Sequence, residues 1–408
     1  MMDLLIRNIG LLATPEGSSA IGGAAMGDIR LDENMAIGIR DDKIAYVGGD
    51  IAIEARRTLD AGGRLATPGL VDSHTHLVFG GSRQHEVPAK LAGATYMEIL
   101  AQGGGILSTV RATREAEYGE LRAKATGFLD EMLAHGTTTA EIKSGYGLNL
   151  EAERKQLSVI DSLWLGHDMD IVATFMGAHA IPHEFAGDTE GYVRYLINEM
   201  IPKIALHPYG GVFCDIFCEE GIFDIDQSRR ILQAAKEHGF ELKIHADEIT
   251  PIGGAALAAE LGATSAEHLI EAADDGLEAM AKAKTIAVLL PATSFYLGKN
   301  YARAQKMIEL GIPIALATDF NPGSSPNFNM QFVLNLAYLK YRMTPAQALT
   351  AATLNGAAAI GLAEKKGSIE VGKDADIVFW DCPDLNYLFY RYGNNQVRRV
   401  IKNGKVLS

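Results

Sequence analysis

Between residues 66 and 366, eight short apolar runs alternate with helix-length segments. The runs cover 69–77, 137–142, 171–177, 211–217, 241–244, 263–268, 285–290 and 312–317. Runs this apolar read as strands covered on both faces, as in a parallel sheet wrapped by helices. Residues 226–238 and 301–310 read as two of the intervening helices. Thr344-Pro345-Ala346-Gln347 supplies an N-cap, a proline at the first helical position and a capping-box glutamine, with Gly361 as the stop. Eight βα units in succession predict an α/β fold, a (β/α)8 TIM barrel. A doubly wound open sheet is the competing arrangement. The barrel is favoured because polar residues gather just after the runs, at the carboxyl ends where barrel chemistry sits.

Both ends of the chain differ from this middle. Residues 4–7, 35–39 and 44–47 read as strands, with Asp41-Asp42 as a hairpin turn. Residues 375–380, 397–401 and 405–407 repeat that character, and Asn403-Gly404 is a type I′ hairpin signal. Neither end is long enough to bury a core alone. They are expected to combine into one small β-sandwich domain, giving boundaries at 1–65, 66–366 and 367–408.

Lys plus Arg number 37 against 51 Asp plus Glu, a formal net charge of −14. That balance argues against nucleic acid and anionic membranes as partners, since both favour a basic face. A small anionic substrate is still compatible, because one local arginine overrules the global field at close range. The three cysteines, Cys214, Cys218 and Cys382, are odd in number and too few for a disulfide framework. They read as buried reduced thiols, and Cys214 and Cys218 lack a second pair to complete a zinc knuckle. The N-terminus has no basic region ahead of a long apolar stretch, and no run approaches the ~20 residues of a membrane span. A soluble, cytoplasmic protein is expected.

The first run ends in Asp72-Ser73-His74-Thr75-His76. Alternate strand residues face the same way, so His74 and His76 can bind one metal. With 11 histidines in 408 positions, chance supplies roughly 0.3 such pairs, so the motif alone is weak. Context strengthens it: His245 ends the fifth run, His268 the sixth, and Asp319 follows the eighth. A closed barrel makes these ends converge. Imidazole and carboxylate suit zinc or iron, and an incomplete shell leaves room for water. A divalent metal lowers the pKa of bound water to ~7. Asp319 could take the proton of that water, Glu248 could protonate a leaving nitrogen, and His268 could hydrogen-bond the developing oxyanion. The implied reaction is hydrolysis of a C–N bond.

Residues 67–76, Thr-Pro-Gly-Leu-Val-Asp-Ser-His-Thr-His, together with His245, His268 and Asp319, resemble the amidohydrolase superfamily over the whole chain. The resemblance implies metal at His74, His76, His245 and Asp319, and a homodimer. Binuclear members carry a bridging lysine at the end of the fourth strand. Here that strand runs into Cys218-Glu219-Glu220, and Lys143 ends the second strand instead. One divalent ion per chain, Zn2+ or Fe2+/Fe3+, is therefore expected. His245-Ala246-Asp247-Glu248 is similar to the His-x-x-Glu of mononuclear cytosine-deaminase-like members, whose glutamate shuttles protons.

Four further strings, 79–86, 141–148, 175–180 and 319–324, resemble the members that open a five-membered imidazolone ring carrying a propionate. That resemblance implies substrate contacts from Arg83, Tyr146, His179, Glu248, Asn321, Gly323 and Ser324. Arg83 offers a guanidinium fork for the carboxylate. Tyr96, Tyr146, His179 and Ser324 supply hydroxyl and imidazole hydrogen bonds, and His179 either binds the ring or also polarises its carbonyl. Gly323 would act by close approach of its backbone. A cyclic-amidine deaminase of guanine or cytosine type is the runner-up, and a non-catalytic assembly protein on the same barrel the remote alternative. Gly103-Gly104-Gly105 lacks the strand, helix and Gly-Lys-Ser/Thr context of a phosphate loop.

Overall fold

The computed structural model describes residues 1–51, 53–93, 103–207 and 211–407. Strands β1 (Met2–Thr14), β2 (Arg30–Arg40), β3 (Lys43–Gly49) and β4 (Ala55–Pro68) lead into the middle of the chain. There β5 (Leu70–Asp72), β6 (Thr137–Lys143), β7 (Asp170–Ala178) and β8 (Phe213–Cys218) follow. They continue as β9 (Glu241–Ala246), β10 (Ser265–His268), β11 (Ile286–Leu289) and β12 (Ile314–Leu316). These eight form one parallel sheet in sequential order. Each of the eight expected runs overlaps one strand, and β6, β7, β8 and β9 extend one or two residues past their runs.

The first run keeps only three strand residues, as does β12 across the seam. The barrel closes just beyond both strands. Thr75 bridges Phe320 in parallel, the His76 amide donates to Phe320 (2.9 Å), and the Asp319 amide donates to the His74 carbonyl (3.1 Å). Below that point the Asp72 carboxylate accepts from the Thr318 amide (3.0 Å) and hydroxyl (2.6 Å). Closure and the placing of His74, His76 and Asp319 are thus one event.

The helices follow their local signals. Asp224 and Gln227 form a reciprocal capping box that starts the helix Ile225–Glu237, one residue earlier than expected. Residues 301–310 are helical only over Ala304–Glu309. Thr344 and Gln347 cap the helix Pro345–Ala351 as the sequence signals. This helix does not run on to Gly361. The Ala352 carbonyl accepts from the Val71 amide of β5 (2.8 Å), and a second helix, Leu354–Ala359, follows the break. Gly361, at φ 74°, ends that second helix.

The chain ends add β13 (Ile377–Trp380), β14 (Val397–Lys402) and β15 (Lys405–Val406). The expected terminal domain forms as one continuous seven-stranded sheet, ordered β15-β14-β13-β4-β1-β2-β3. The antiparallel β4–β13 pair joins the two halves of the chain, with Pro68 opposite Ile377. β1 and β4 pair in parallel, so the sheet is mixed. It has its own apolar cluster, including Ile6, Ile9, Ile37, Ile377, Phe379 and Ile401. Asn403 (φ 48°) and Gly404 (φ 75°) make the expected tight turn.

An ionic cluster ties this sheet to the barrel. Lys402 Nζ lies 2.9 Å from both Asp376 oxygens, and Lys366 Nζ lies 2.9 Å from Asp376 and 2.7 Å from Asp374. Both lysines also pair with Asp170, the first residue of β7. Burial pushes Asp376 up, but Lys402 and Lys366 outweigh it and hold its carboxyl below the usual carboxylate range. A carboxyl depressed on folding stabilises above its unfolded pKa of ~3.9, and that contribution fades as pH falls through the folded value. Lys402→Met should destabilise by about 3 kcal/mol near neutrality, the lower end for breaking a buried pair. In urea titrations the gap between parent and variant should narrow below pH ~4.

Candidate active site

His74 and His76 follow β5 on alternate positions, His245 lies in β9, His268 ends β10, and Asp319 stands three residues past β12. Asp247, His268, Leu269 and Asp319 adopt left-handed backbone, at φ 50°, 69°, 57° and 53°. Asp tolerates left-handed backbone through local hydrogen bonds, but other non-glycine residues pay roughly 1–2 kcal/mol, so His268 and Leu269 mark a strand end where geometry overrides local preference.

The side chains converge. His74 Nε2 lies 3.3 Å from His76 Nε2, which lies 3.4 Å from His245 Nε2. Asp319 Oδ1 is 3.4 Å from His74 Nε2 and 3.6 Å from His76 Nε2. The other nitrogens of two of these rings face carboxylates: His74 Nδ1 meets Glu267, and His245 Nδ1 lies 3.1 Å from Asp215. An ionised carboxylate only accepts, so both Nδ1 atoms carry the protons and both Nε2 atoms present lone pairs. Lone pairs converging in a buried space call for a cation between them. Ligand atoms ~2.0–2.1 Å from a tetrahedral zinc lie ~3.3–3.4 Å from one another, so the donor spacing fits such an ion. His268 also comes within metal-sharing distance of His74 and His245.

Beneath the histidines lies a second layer of buried charge. Lys143 Nζ touches Glu141 (2.8 Å), Asp215 (2.8 Å) and Glu267 (3.2 Å). Lys243 Nζ reaches Glu141 (3.2 Å) and Glu267 (3.4 Å). All five side chains are fully buried. Burial pulls Lys143 down, but the three carboxylates outweigh it and raise its proton affinity. Asp215 and Glu267 are in turn held low against burial, Asp215 by His245 and Lys143 and Glu267 by Lys143 and Lys243. Burial depresses His74 and His76 strongly, whereas Asp215 lifts His245 against burial. Asp319 is raised to about 6 by burial, opposed by a hydrogen bond from Thr293 Oγ1 (2.6 Å) to its Oδ2.

A cavity of about 1000 Å³ opens above the histidines. Arg83, Tyr146, His179, Glu248, Asn321, Gly323 and Ser324 all line it, while Tyr96 lies outside the described residues. Glu86 grips Arg83 through two parallel contacts (2.9 and 3.0 Å) and accepts the Gly105 amide (2.8 Å). A Cβ on Gly323 would stand 2.0 Å from Arg83 Nη1, so any side chain here would push the guanidinium out of its present place. His179 Nδ1 faces the Gly145 carbonyl (3.1 Å) and therefore donates, leaving Nε2 as an acceptor. Its ring stacks on His76 at 4.7 Å, and burial lowers it to about 3, so it is neutral. Asn321 is used within its own loop: its amide binds the Asp319 carbonyl (2.7 Å), the Ser324 hydroxyl (2.9 Å) and the amides of Gly323 and Ser324 (both 2.8 Å). Glu248 Oε2 stands 3.6 Å from His268 Nε2, and burial with the nearby Asp319 charge raises Glu248 to about 8.

Sequence reasoning missed Glu86, Glu141, Asp215, Glu267, Lys243 and Thr293. Charged residues at the centres of apolar strands were the available signal for four of them, and Glu86 sits at i+3 from Arg83. Lys143→Met would leave three buried carboxylates facing one ammonium group. It should cost at least about 3–5 kcal/mol, read as a lowered urea midpoint.

The sequence profile of the Amidohydrolase family matches residues 65–407. The imidazolonepropionase of Bacillus velezensis is 50% identical over 410 residues, covering 100% of this chain and 97% of that protein. That of Alkaliphilus metalliredigens is 50% identical over 416 residues, covering 100% and 98%. An adenosine deaminase from Xanthomonas campestris, solved with bound zinc, shares the fold at TM-score 0.72 and 20% identity, covering 99% of this chain and 92% of that one. The chain belongs to the amidohydrolase family and, within it, to the imidazolonepropionases.

Proposed function

We propose that the chain opens the ring of 4-imidazolone-5-propanoate by hydrolysis, giving N-formimidoyl-L-glutamate, around one divalent cation, zinc or iron, held by His74, His76, His245 and Asp319. The observation that carries this reading is the convergence of four donor atoms within 3.3–3.6 Å contacts at the floor of the cavity that Arg83 lines. When bound, such an ion acidifies its water to pKa ~7 and polarises a carbonyl.

The chain's own groups do the rest. Arg83, pre-aimed by Glu86, clamps the propionate and so fixes the ring over the histidines. Asp319 keeps Oδ1 toward the site because Thr293 occupies Oδ2, and it takes a proton from the attacking water. Water oxygen bonds to the ring carbonyl carbon, and the adjoining C–N bond breaks. Glu248, which burial keeps protonated at neutral pH, delivers a proton to the departing nitrogen. His268 hydrogen-bonds the developing oxyanion. His179 and Tyr146 border the ring. Among the described residues no helix is long and apolar enough to cross a membrane, and the three buried free thiols support a cytoplasmic location.

Purified protein mixed with imidazolonepropionate should bleach the ring's ultraviolet absorbance. No turnover with either zinc or iron loaded would sink the reading. His245→Ala should lower bound metal below ~0.2 per chain by elemental analysis and abolish turnover with it. Arg83→Lys and Gly323→Ala should each raise KM about 10–100-fold, the equivalent of ~1.5–3 kcal/mol for a charged hydrogen-bonded pair, with a smaller effect on kcat.

A further inference from the structure

Glu219 is buried one residue beyond β8, where binuclear relatives bring their lysine, yet it does not line the cavity. Among the described residues it forms no ion pair. Its carboxylate instead collects donors from the backbone. Oε2 accepts the Ile249 amide (2.9 Å). Oε1 accepts the Thr250 amide (3.1 Å), the Thr250 hydroxyl and the Glu220 amide (3.0 Å). Three of these four donors belong to the neighbouring loop, in the two residues directly after Glu248.

The base of this contact is rigid. The Glu219 amide donates to Phe223 (3.0 Å), its carbonyl accepts from Ile222 (3.0 Å), and Phe223 is fully buried. In the loop it reaches, Ile249 is 65% exposed and gives residues 249 and 250 little apolar anchoring of their own, whereas Ile252 further on packs against the core. On the other flank of Glu248, Asp247 accepts the amides of Gly253 (2.9 Å), Gly254 (3.0 Å) and Ala255 (2.9 Å). Glu248 therefore stands between two carboxylate-held points, one on its own loop and one reaching over from the adjacent strand end.

We infer that Glu219 is a positioning residue for the reaction, strapping residues 249 and 250 to the end of β8 and so fixing where the Glu248 carboxyl stands against His268 and Asp319. The inference rests on reading Glu248 as the proton donor. Gln at 219 keeps the shape but turns one acceptor into a donor, which then opposes an N–H of residue 249 or 250. A displacement of ~1 Å at a catalytic group costs up to ~100-fold in rate.

The test compares parent, Glu219→Gln, Thr250→Val and Glu248→Gln, each as the metal-loaded full chain with imidazolonepropionate. Glu219→Gln should lose about 10–100-fold in kcat with KM within ~3-fold and metal content at the parent value. Thr250→Val, which removes one donor of the strap, should lose a smaller factor in kcat and covers the case in which Glu219→Gln fails to fold. Hydrogen exchange should accelerate at residues 249 and 250 of Glu219→Gln while residues 253–255 keep their protection. Full kcat in Glu219→Gln beside an inactive Glu248→Gln overturns the strap alone. Full activity in Glu248→Gln overturns both the strap and the reading of Glu248. Loss of metal from Glu219→Gln also overturns the strap, by making Glu219 a support of the metal ligands.

Discussion

The structure turns on one ammonium group. Lys143 sits inside the barrel against Glu141, Asp215 and Glu267, and two of those carboxylates hold the histidines above it. A lone buried carboxylate would take up a proton, and a protonated carboxyl could donate to Nδ1. The imidazole would then carry its proton on Nε2, pointing at the place where a cation belongs. Lys143 keeps Asp215 and Glu267 ionised and thereby selects the tautomer of His74 and His245. The cost is a barrel interior that is ionic where most barrels are filled by branched aliphatic side chains.

Fold and site cannot be separated at the seam either. The first and last barrel strands are three residues each, too short to hold the barrel shut by ladder bonds alone. Closure is completed by Asp72 on Thr318 and by the backbone bonds of His74 and His76 to residues 319 and 320. A loosened seam would move Asp319 relative to the paired histidines, so metal binding and barrel closure should rise and fall together. The helix break at Ala352 fits the same picture, since its carbonyl is diverted to β5.

What could be read from the chain in advance was governed by period and by strand ends. Uninterrupted apolar runs announced the barrel strands, and each proposed ligand stood at or just beyond a run. Asn403-Gly404 and Thr344 with Gln347 acted as their local chemistry dictates. The buried charges were harder, because Glu141, Lys143, Lys243 and Glu267 have meaning only across strands. A lysine in β6 and a glutamate in β10 are distant in sequence, and nothing local declares that their side chains meet. Helix lengths were misjudged where tertiary hydrogen bonds cut in, as between Pro345 and Gly361. Glu219 was noticed only as a position lacking lysine, and its backbone partners were invisible without the neighbouring loop.

Charge counting links the two layers of the site. Three carboxylates against the ammonium groups of Lys143 and Lys243 leave one negative charge beneath the histidines, and Asp319 adds another beside them. Neutral imidazoles contribute none. Two uncompensated negative charges in a buried space are tolerable only if something positive faces them. The proposed divalent cation matches that deficit. The lifted proton affinity of His245, beside Asp215, expresses the same preference for positive charge. Glu248 stands outside this balance. It keeps its proton because burial and Asp319 oppose its ionisation. The site thus divides its acids by environment: those touching ammonium groups stay charged, Asp215 and Glu267 among them facing His245 and His74, whereas Glu248, on the cavity wall without an ammonium partner among the described residues, stays neutral and suits the role of proton donor.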